Sequence, residues 1–184
     1  STLMRSSAAS DVYKRQDKTM ILTLLSLLVF ASYVGVMIYK TKGIPYSISD
    51  TYYILSNRYW FGICMILPSL LLLPAALDAS TENSQFLIFL SVVGMIVLGV
   101  SPNFKGAHKK AHIAGAVMSL VFSQIWVGCN SWYWLLLWAA FLIYAITFVV
   151  NNWSGNLIWD LTACKSMFWI EVISLLTVYL TCLL

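Results

Sequence analysis

The chain has 184 residues, 60% of them hydrophobic and only 10% charged, with a formal net charge of +4. Soluble domains carry about 25% charged residues, so a chain this apolar would have almost nothing to show to water. That excludes an ordinary soluble enzyme, a disordered tail and a nucleic-acid-binding module, and points to a polytopic membrane protein.

The chain opens on a polar stretch. Residues 6–16 read Ser-Ser-Ala-Ala-Ser-Asp-Val-Tyr-Lys-Arg-Gln, which resembles the in-frame translation of a common transposon sequencing adapter and would imply a metagenomic source. Residues 1–16 are therefore expected to be adapter-derived and disordered, and are set apart from fold reasoning. Residues 17–184 are expected to form a single transmembrane domain.

About 20 apolar residues in a helix cross roughly 30 Å of hydrocarbon. Six segments approach that length: about 20–39, 59–77, 86–100, 111–128, 132–150 and 166–184. Backbone groups in lipid need internal partners, and the alternation of a β-barrel is absent, so an all-α bundle of six transmembrane helices is predicted. In the first helix, Ala31 and Gly35 form a small-xxx-small pair that favours close helix packing. In the second, Pro68 and Pro74 predict a kink.

The loops alternate sides. Lys40, Lys42, Arg58, Lys105, Lys109, Lys110 and Lys165 fall in the loops of one side, and only Lys18 of the other side's basic residues lies beyond residue 16. By the positive-inside rule the basic side is cytoplasmic and both termini are extracytoplasmic. The expected location is a bacterial inner membrane. Trp132, Tyr133 and Trp134 then mark the outer interface, and Tyr59, Trp60, Trp153, Trp159 and Trp169 the inner one.

Few residues can carry chemistry. His108 and His112 stand four residues apart, on one helical face. Such a pair can hold one edge of a metal ion but not both axial positions of a haem. The bland alternative is a basic helix start that binds anionic lipid headgroups through Lys105, Lys109 and Lys110. His108, His112, Gly115, Ser119 and Ser123 form one stripe, which either packs on a neighbouring helix or lines a cavity. Gln124 lies off the stripe and is expected to bond another helix.

Glu171 is the sharpest single residue. It lies about 9 Å inside the cytoplasmic start of the sixth helix, where ionisable groups are costly and are functional or paired. The open alternatives are a pair with His112 and a side chain that snorkels to the interface. In the first cytoplasmic loop Pro45 sets a turn, and Ser49 or Asp50 can cap a short interfacial helix. Asp50 can join a site with the histidines and Glu171; Asp160 and Asn152 are weaker candidates on the same side. Cys129 and Cys182 fall at outer helix ends and can pair in an oxidising compartment. No phosphate-binding Gly loop, nucleophile elbow or paired-Cys zinc motif occurs.

Several motifs together are familiar. The loop Gly-Ile-Pro-Tyr-Ser-Ile-Ser-Asp-Thr-Tyr-Tyr (43–53), the helix end Val-Ser-Pro-Asn-Phe (100–104) and the run Ser-Gln-Ile-Trp (123–126) resemble small bacterial, Bacteroidetes-type integral-membrane proteins. They are similar to the six-helix domain-of-unknown-function family 998. That resemblance implies a six-helix fold and brings no activity. The His-xxx-His spacing also looks like the seven-helix zinc hydrolases of the alkaline ceramidase and adiponectin receptor superfamily, with Ser69 and Asp78 likened to their Ser and Asp. The chain departs from that pattern: it has no third histidine, the pair opens the fourth helix, and Asp78 is predicted on the opposite side.

The leading expectation is a non-enzymatic membrane protein that binds or moves a lipid or small solute. Its cytoplasmic-side polar pocket would hold His108, His112, Glu171, Asp50, Ser119 and Ser123. A metal-dependent hydrolase using His108 and His112 as ligands, and a non-catalytic membrane subunit, are the alternatives. No cofactor is expected beyond a metal ion at that histidine pair, and no nucleic acid among the partners.

Overall fold

A computed structural model describes the backbone of residues 2–184 and the side chains of residues 17–184. The expectation for residues 1–16 falls on side chains outside that range. Seven α-helices occur: α1 (Thr2–Thr41), α2 (Tyr59–Asp78), α3 (Gln85–Val100), α4 (Lys109–Ser131), α5 (Leu136–Asn151), α6 (Leu157–Ala163) and α7 (Ser166–Leu183). Two 3-10 turns, Ser49–Tyr53 and Trp132–Leu135, complete the regular structure, and no strand is found among the described residues. The chain is an all-α bundle.

Four helical stretches are long and apolar enough to cross a membrane: Asp17–Thr41 within α1, α2, the run Lys109–Asn151, and α7. α3 is shorter, and its 16 residues rise only about 24 Å. The run Lys109–Asn151 is not one rod. Trp138 Nε1 donates to Gln124 Oε1 at 2.8 Å, whereas residues fourteen apart on a straight helix stand about 21 Å apart. The chain therefore bends sharply at the 3-10 turn Trp132–Leu135, and α4 and α5 are two separate helices. That turn takes up the first residues of the predicted fifth helix, so α5 begins later than 132 and α4 ends later than 128.

The short α6 is absent from the sequence reading. Asn156 caps it by accepting from the N–H groups of Ile158 (3.0 Å) and Trp159 (3.2 Å), which satisfies two orphan donors. Buried Asp160 accepts from the Ser154 N–H at 3.2 Å and so closes the turn before that helix.

α3 and α4 form the tightest pair, and the reason is glycine. A Cβ on Gly94 would lie 2.5 Å from the Ser119 nitrogen, and one on Gly115 would lie 2.8 Å from the Gly94 carbonyl oxygen. Only residues without a side chain permit that approach. Gly62 of α2 meets the Gly99 carbonyl of α3 in the same way, at 2.8 Å. Gly35 does not: it is exposed, and a Cβ there would meet nothing within 4 Å. The predicted close packing at Ala31 and Gly35 thus does not occur within the chain, because α1 turns its Phe30, Tyr33 and Met37 face inward instead.

Polar clasps tie the remaining helices. Ser26 Oγ of α1 donates to the Pro68 carbonyl of α2 at 2.7 Å and accepts from Tyr179 O–H of α7 at 2.8 Å. Gln124 of α4 donates to the Ser174 carbonyl of α7 at 3.0 Å, while its oxygen accepts from Thr177 and Trp138. The expectation that Gln124 bonds another helix is met by two helices. The outer faces stay apolar, with Leu28, Leu142 and Ile143 all more than half exposed, as lipid-facing surfaces are.

Candidate functional site

The loop between α1 and α2 does not hang free. Phe168, in the first turn of α7, donates its N–H to the Tyr46 carbonyl at 3.1 Å, giving a partner to one of the donors a helix start leaves orphaned. One turn further along α7, the Glu171 carboxyl accepts from the Ile48 N–H and from Ser49 Oγ–H, the latter at 3.1 Å. Glu171 thereby caps the 3-10 turn Ser49–Tyr53 from a distant helix. Tyr33 O–H of α1 donates to Thr51 Oγ1 at 2.5 Å, and Thr51 in turn donates to the Ile48 carbonyl. Within the loop, the Asp50 N–H donates to Ser47 Oγ at 2.9 Å, so Ser47, and neither Ser49 nor Asp50, supplies the local cap.

Glu171 is therefore paired, but not with His112. His112 is 4% exposed; its ring stacks on Phe104 with centroids 4.9 Å apart, and Nδ1 lies 3.0 Å from the Ser101 carbonyl. A carbonyl only accepts, so Nδ1 carries the proton. His112 is thus occupied with the α3–α4 loop. His108 precedes α4 on the exposed surface, and its carbonyl accepts the His112 N–H at 2.9 Å. Among the described residues no three of His, Cys, Asp and Glu gather as metal ligands do. The helical spacing that aligns the two histidines also carries one into the protein and leaves the other outside.

Asp50 is likewise engaged elsewhere. Its Oδ1 meets Lys105 Nζ at 2.5 Å, and that ammonium lies 4.5 Å from the centre of the Tyr53 ring. The pair sits at the surface, where ion pairs contribute little, but it fastens the first loop to the loop before α4. Cys129 and Cys182 are both free thiols.

Behind Glu171 a cavity of about 280 Å³ runs between α1, α2, α3, α4 and α7. Glu171 and Ser49 form its polar end, and Leu72, Leu98, Ile88 and Val178 are among its apolar walls. Ser119 and Ser123 also line it; His108, His112 and Asp50 do not. The predicted stripe of α4 therefore does both things asked of it. Gly115 and Ser119 pack on α3, and Ser119 with Ser123 faces the cavity. The wall hydroxyls are turned onto backbone carbonyls: Ser91 onto Ser119 at 3.0 Å, Ser123 onto Leu120 at 2.9 Å and Ser174 onto Glu171 at 2.9 Å. Such back-bonding leaves an apolar surface toward the cavity.

Ser49, Ser26 and Tyr179 escaped the sequence reading as structural clasps. Ser26 and Tyr179 are polar groups within apolar spans, and that signal alone marks them as bonded across helices. No family model, curated protein or solved structure matches the chain.

Proposed function

We propose that this protein is a multi-pass membrane protein that holds a lipid-like molecule inside its helical bundle. The observation that carries the reading is the intramembrane cavity with apolar walls and a single carboxyl-bearing end at Glu171 and Ser49. Ligand sites are concave, mainly apolar, and carry few convergent polar groups. The volume of about 280 Å³ is roughly twice that of the engineered 150 Å³ cavity that binds benzene. It suits one acyl or prenyl chain and is too small for a whole two-chain lipid.

The six-crossing topology, with the basic loops on the cytoplasmic side, belongs to the same reading. It is supported by the break between α4 and α5 and by the lysines that fall in alternate loops. Lys109 and Lys110 begin α4, where the helix dipole disfavours cations. Both are exposed, and anionic lipid headgroups would supply the countercharge.

Native mass spectrometry of the chain extracted in mild detergent tests the proposal. The expected spectrum shows a retained single-chain lipid mass, lost in an Ala116→Phe variant that fills the cavity but keeps the thermal midpoint. An identical adduct pattern in both proteins, or bare protein in both, overturns it.

A further inference from the structure

Part of the cavity's lining is accessible from outside. Of the residues that line it, only Val117, Val121 and Met167 are exposed, at 55%, 41% and 43%. Two belong to α4 and one to α7, so all three border one seam. That seam is clasped at Gln124 and Ser174. Val117 and Met167 each lie seven residues before those clasp residues, about 10 Å along their helices. No hydrogen bond or ion pair joins α4 to α7 below the clasp among the described residues. Beyond the 3-10 turn Trp132–Leu135, α5 leans on α7, with the Tyr144 and Trp169 rings 6.2 Å apart, and does not pack along α4.

The polar end then sets what can enter. A carboxyl group presents about four acceptor positions; the Ile48 N–H and Ser49 O–H fill two of them and the Ser49 N–H is directed at the carboxyl as well, which leaves one open. The acidic residue beside Ser49 in the loop that Glu171 holds is another carboxylate, Asp50. That carboxylate is held by Lys105 on the outer side of the loop. No Lys or Arg side chain lines the cavity. An anionic headgroup would meet acceptors and like charge, and a hydrogen-bond donor would meet an open lone pair.

We propose that the seam between the lower halves of α4 and α7 is a lateral portal from the bilayer, and that the cavity selects a single-chain amphiphile whose head donates a hydrogen bond to Glu171, an alcohol or an amine and not a phosphate. This rests on the cavity being a binding site, and the experiment separates the two claims. The protein, reconstituted in phosphatidylcholine vesicles, is photolabelled with a diazirine-bearing long-chain alcohol, and labelled peptides are mapped. Label is expected on Leu72 to Ala76, deep in the cavity, in addition to the lipid-facing surface of α5. A Val117→Trp/Met167→Trp variant should lose the deep label and keep that on α5. The chain-matched alcohol or amine should compete at least about tenfold better than the chain-matched phosphate, because like-charge juxtaposition is strongly disfavoured. Glu171→Gln, which brings an N–H donor to the same place, should narrow that ratio toward one. Absence of deep label in the unmodified protein refutes the binding site itself. Deep label that survives the double Trp change refutes the portal, and equal competition by the phosphate refutes the donor-head selection while the cavity reading stands.

Discussion

Replacing Gly94 by Ala strikes the contact on which the cavity's shape depends. A methyl group there would stand 2.5 Å from the Ser119 nitrogen, 2.7 Å from the Gly115 carbonyl oxygen and 2.9 Å from the Ser119 Cα. All three are backbone atoms of α4, so no side-chain rotation relieves the clash. Non-bonded carbon sits best at about 3.5–4.0 Å, and the two helices must part by about 1 Å. The Ser91 hydroxyl bond to the Ser119 carbonyl, 3.0 Å long, is then stretched out of range. Overpacking costs about 1–3 kcal/mol, and an interhelical hydrogen bond in a bilayer is worth about 0.6 kcal/mol. Alanine returns about 1 kcal/mol of helix propensity, which leaves a net loss of about 0.6–2.6 kcal/mol. Gly35→Ala is the control, because its Cβ meets nothing within 4 Å; it should be neutral or slightly stabilising. Tryptophan fluorescence during SDS-driven unfolding in bicelles reads both. If Gly94→Ala unfolds at or above the wild-type midpoint while Gly35→Ala behaves as stated, the α3–α4 approach is not the one described.

Four further outcomes follow from the same contacts. Glu171→Ala leaves the Ile48 N–H and Ser49 hydroxyl without their acceptor, at a local cost of about 1–3 kcal/mol. Amide exchange over residues 47–54 should quicken, and an exchange pattern matching a Glu82→Ala control would show that Glu171 does not hold the loop. Gln124→Leu removes the bonds to Ser174, Thr177 and Trp138, for a total of about 2 kcal/mol at bilayer values; an unchanged thermal midpoint contradicts that clasp. Cys164, between α6 and α7, is 2% exposed, and its burial pushes the thiol above the usual range. Only the thiolate reacts, so maleimide labelling at Cys164 should be slow at neutral pH and accelerate only in strongly alkaline buffer. Labelling of Cys164 as fast as that of exposed Cys129 at neutral pH would deny the burial. Zinc bound per chain should be the same in the protein and in a His108→Ala/His112→Ala variant, since His112 is buried, His108 is exposed and no third ligand gathers with them among the described residues; a metal lost with the histidines reverses that assignment.

The helices were legible because the bilayer imposes a simple rule. Runs of apolar residues near the crossing length must be helical, and all six predicted segments correspond to helices. What the rule does not convey is the joinery. The 3-10 turn Trp132–Leu135 is as apolar as the helices it separates, so hydropathy sees one continuous run and cannot place the bend. α6 is only seven residues long, below the length at which periodicity speaks, although Asn156 before it is a cap signal that could have been read. At Ala31 and Gly35 the small-residue pattern was present without the contact. At Gly94 and Gly115 the contact exists with the glycines on different helices, a pairing that no single-helix motif exposes.

The site teaches a sharper distinction. Sequence placed His108, His112, Asp50 and Glu171 on one side of the membrane, and opposite charges on one side invite the inference that they meet. The structure separates them because each already has a nearer obligation. Asp50 answers Lys105, His112 answers the Ser101 carbonyl, and Glu171 answers the backbone of the first loop. Of the titratable candidates only Glu171 also borders empty space. A carboxyl group that holds a loop uses some of its acceptor positions; one that also faces an apolar cavity has the rest turned toward it. Under the proposed reading, that dual placement would link closure of the loop to occupation of the cavity. A ligand whose head donates to Glu171 draws on the same carboxyl that keeps Ile48 and Ser49 in place. If the proposed ligand binds there, the amides of residues 47–54 would report whether it tightens or loosens that loop.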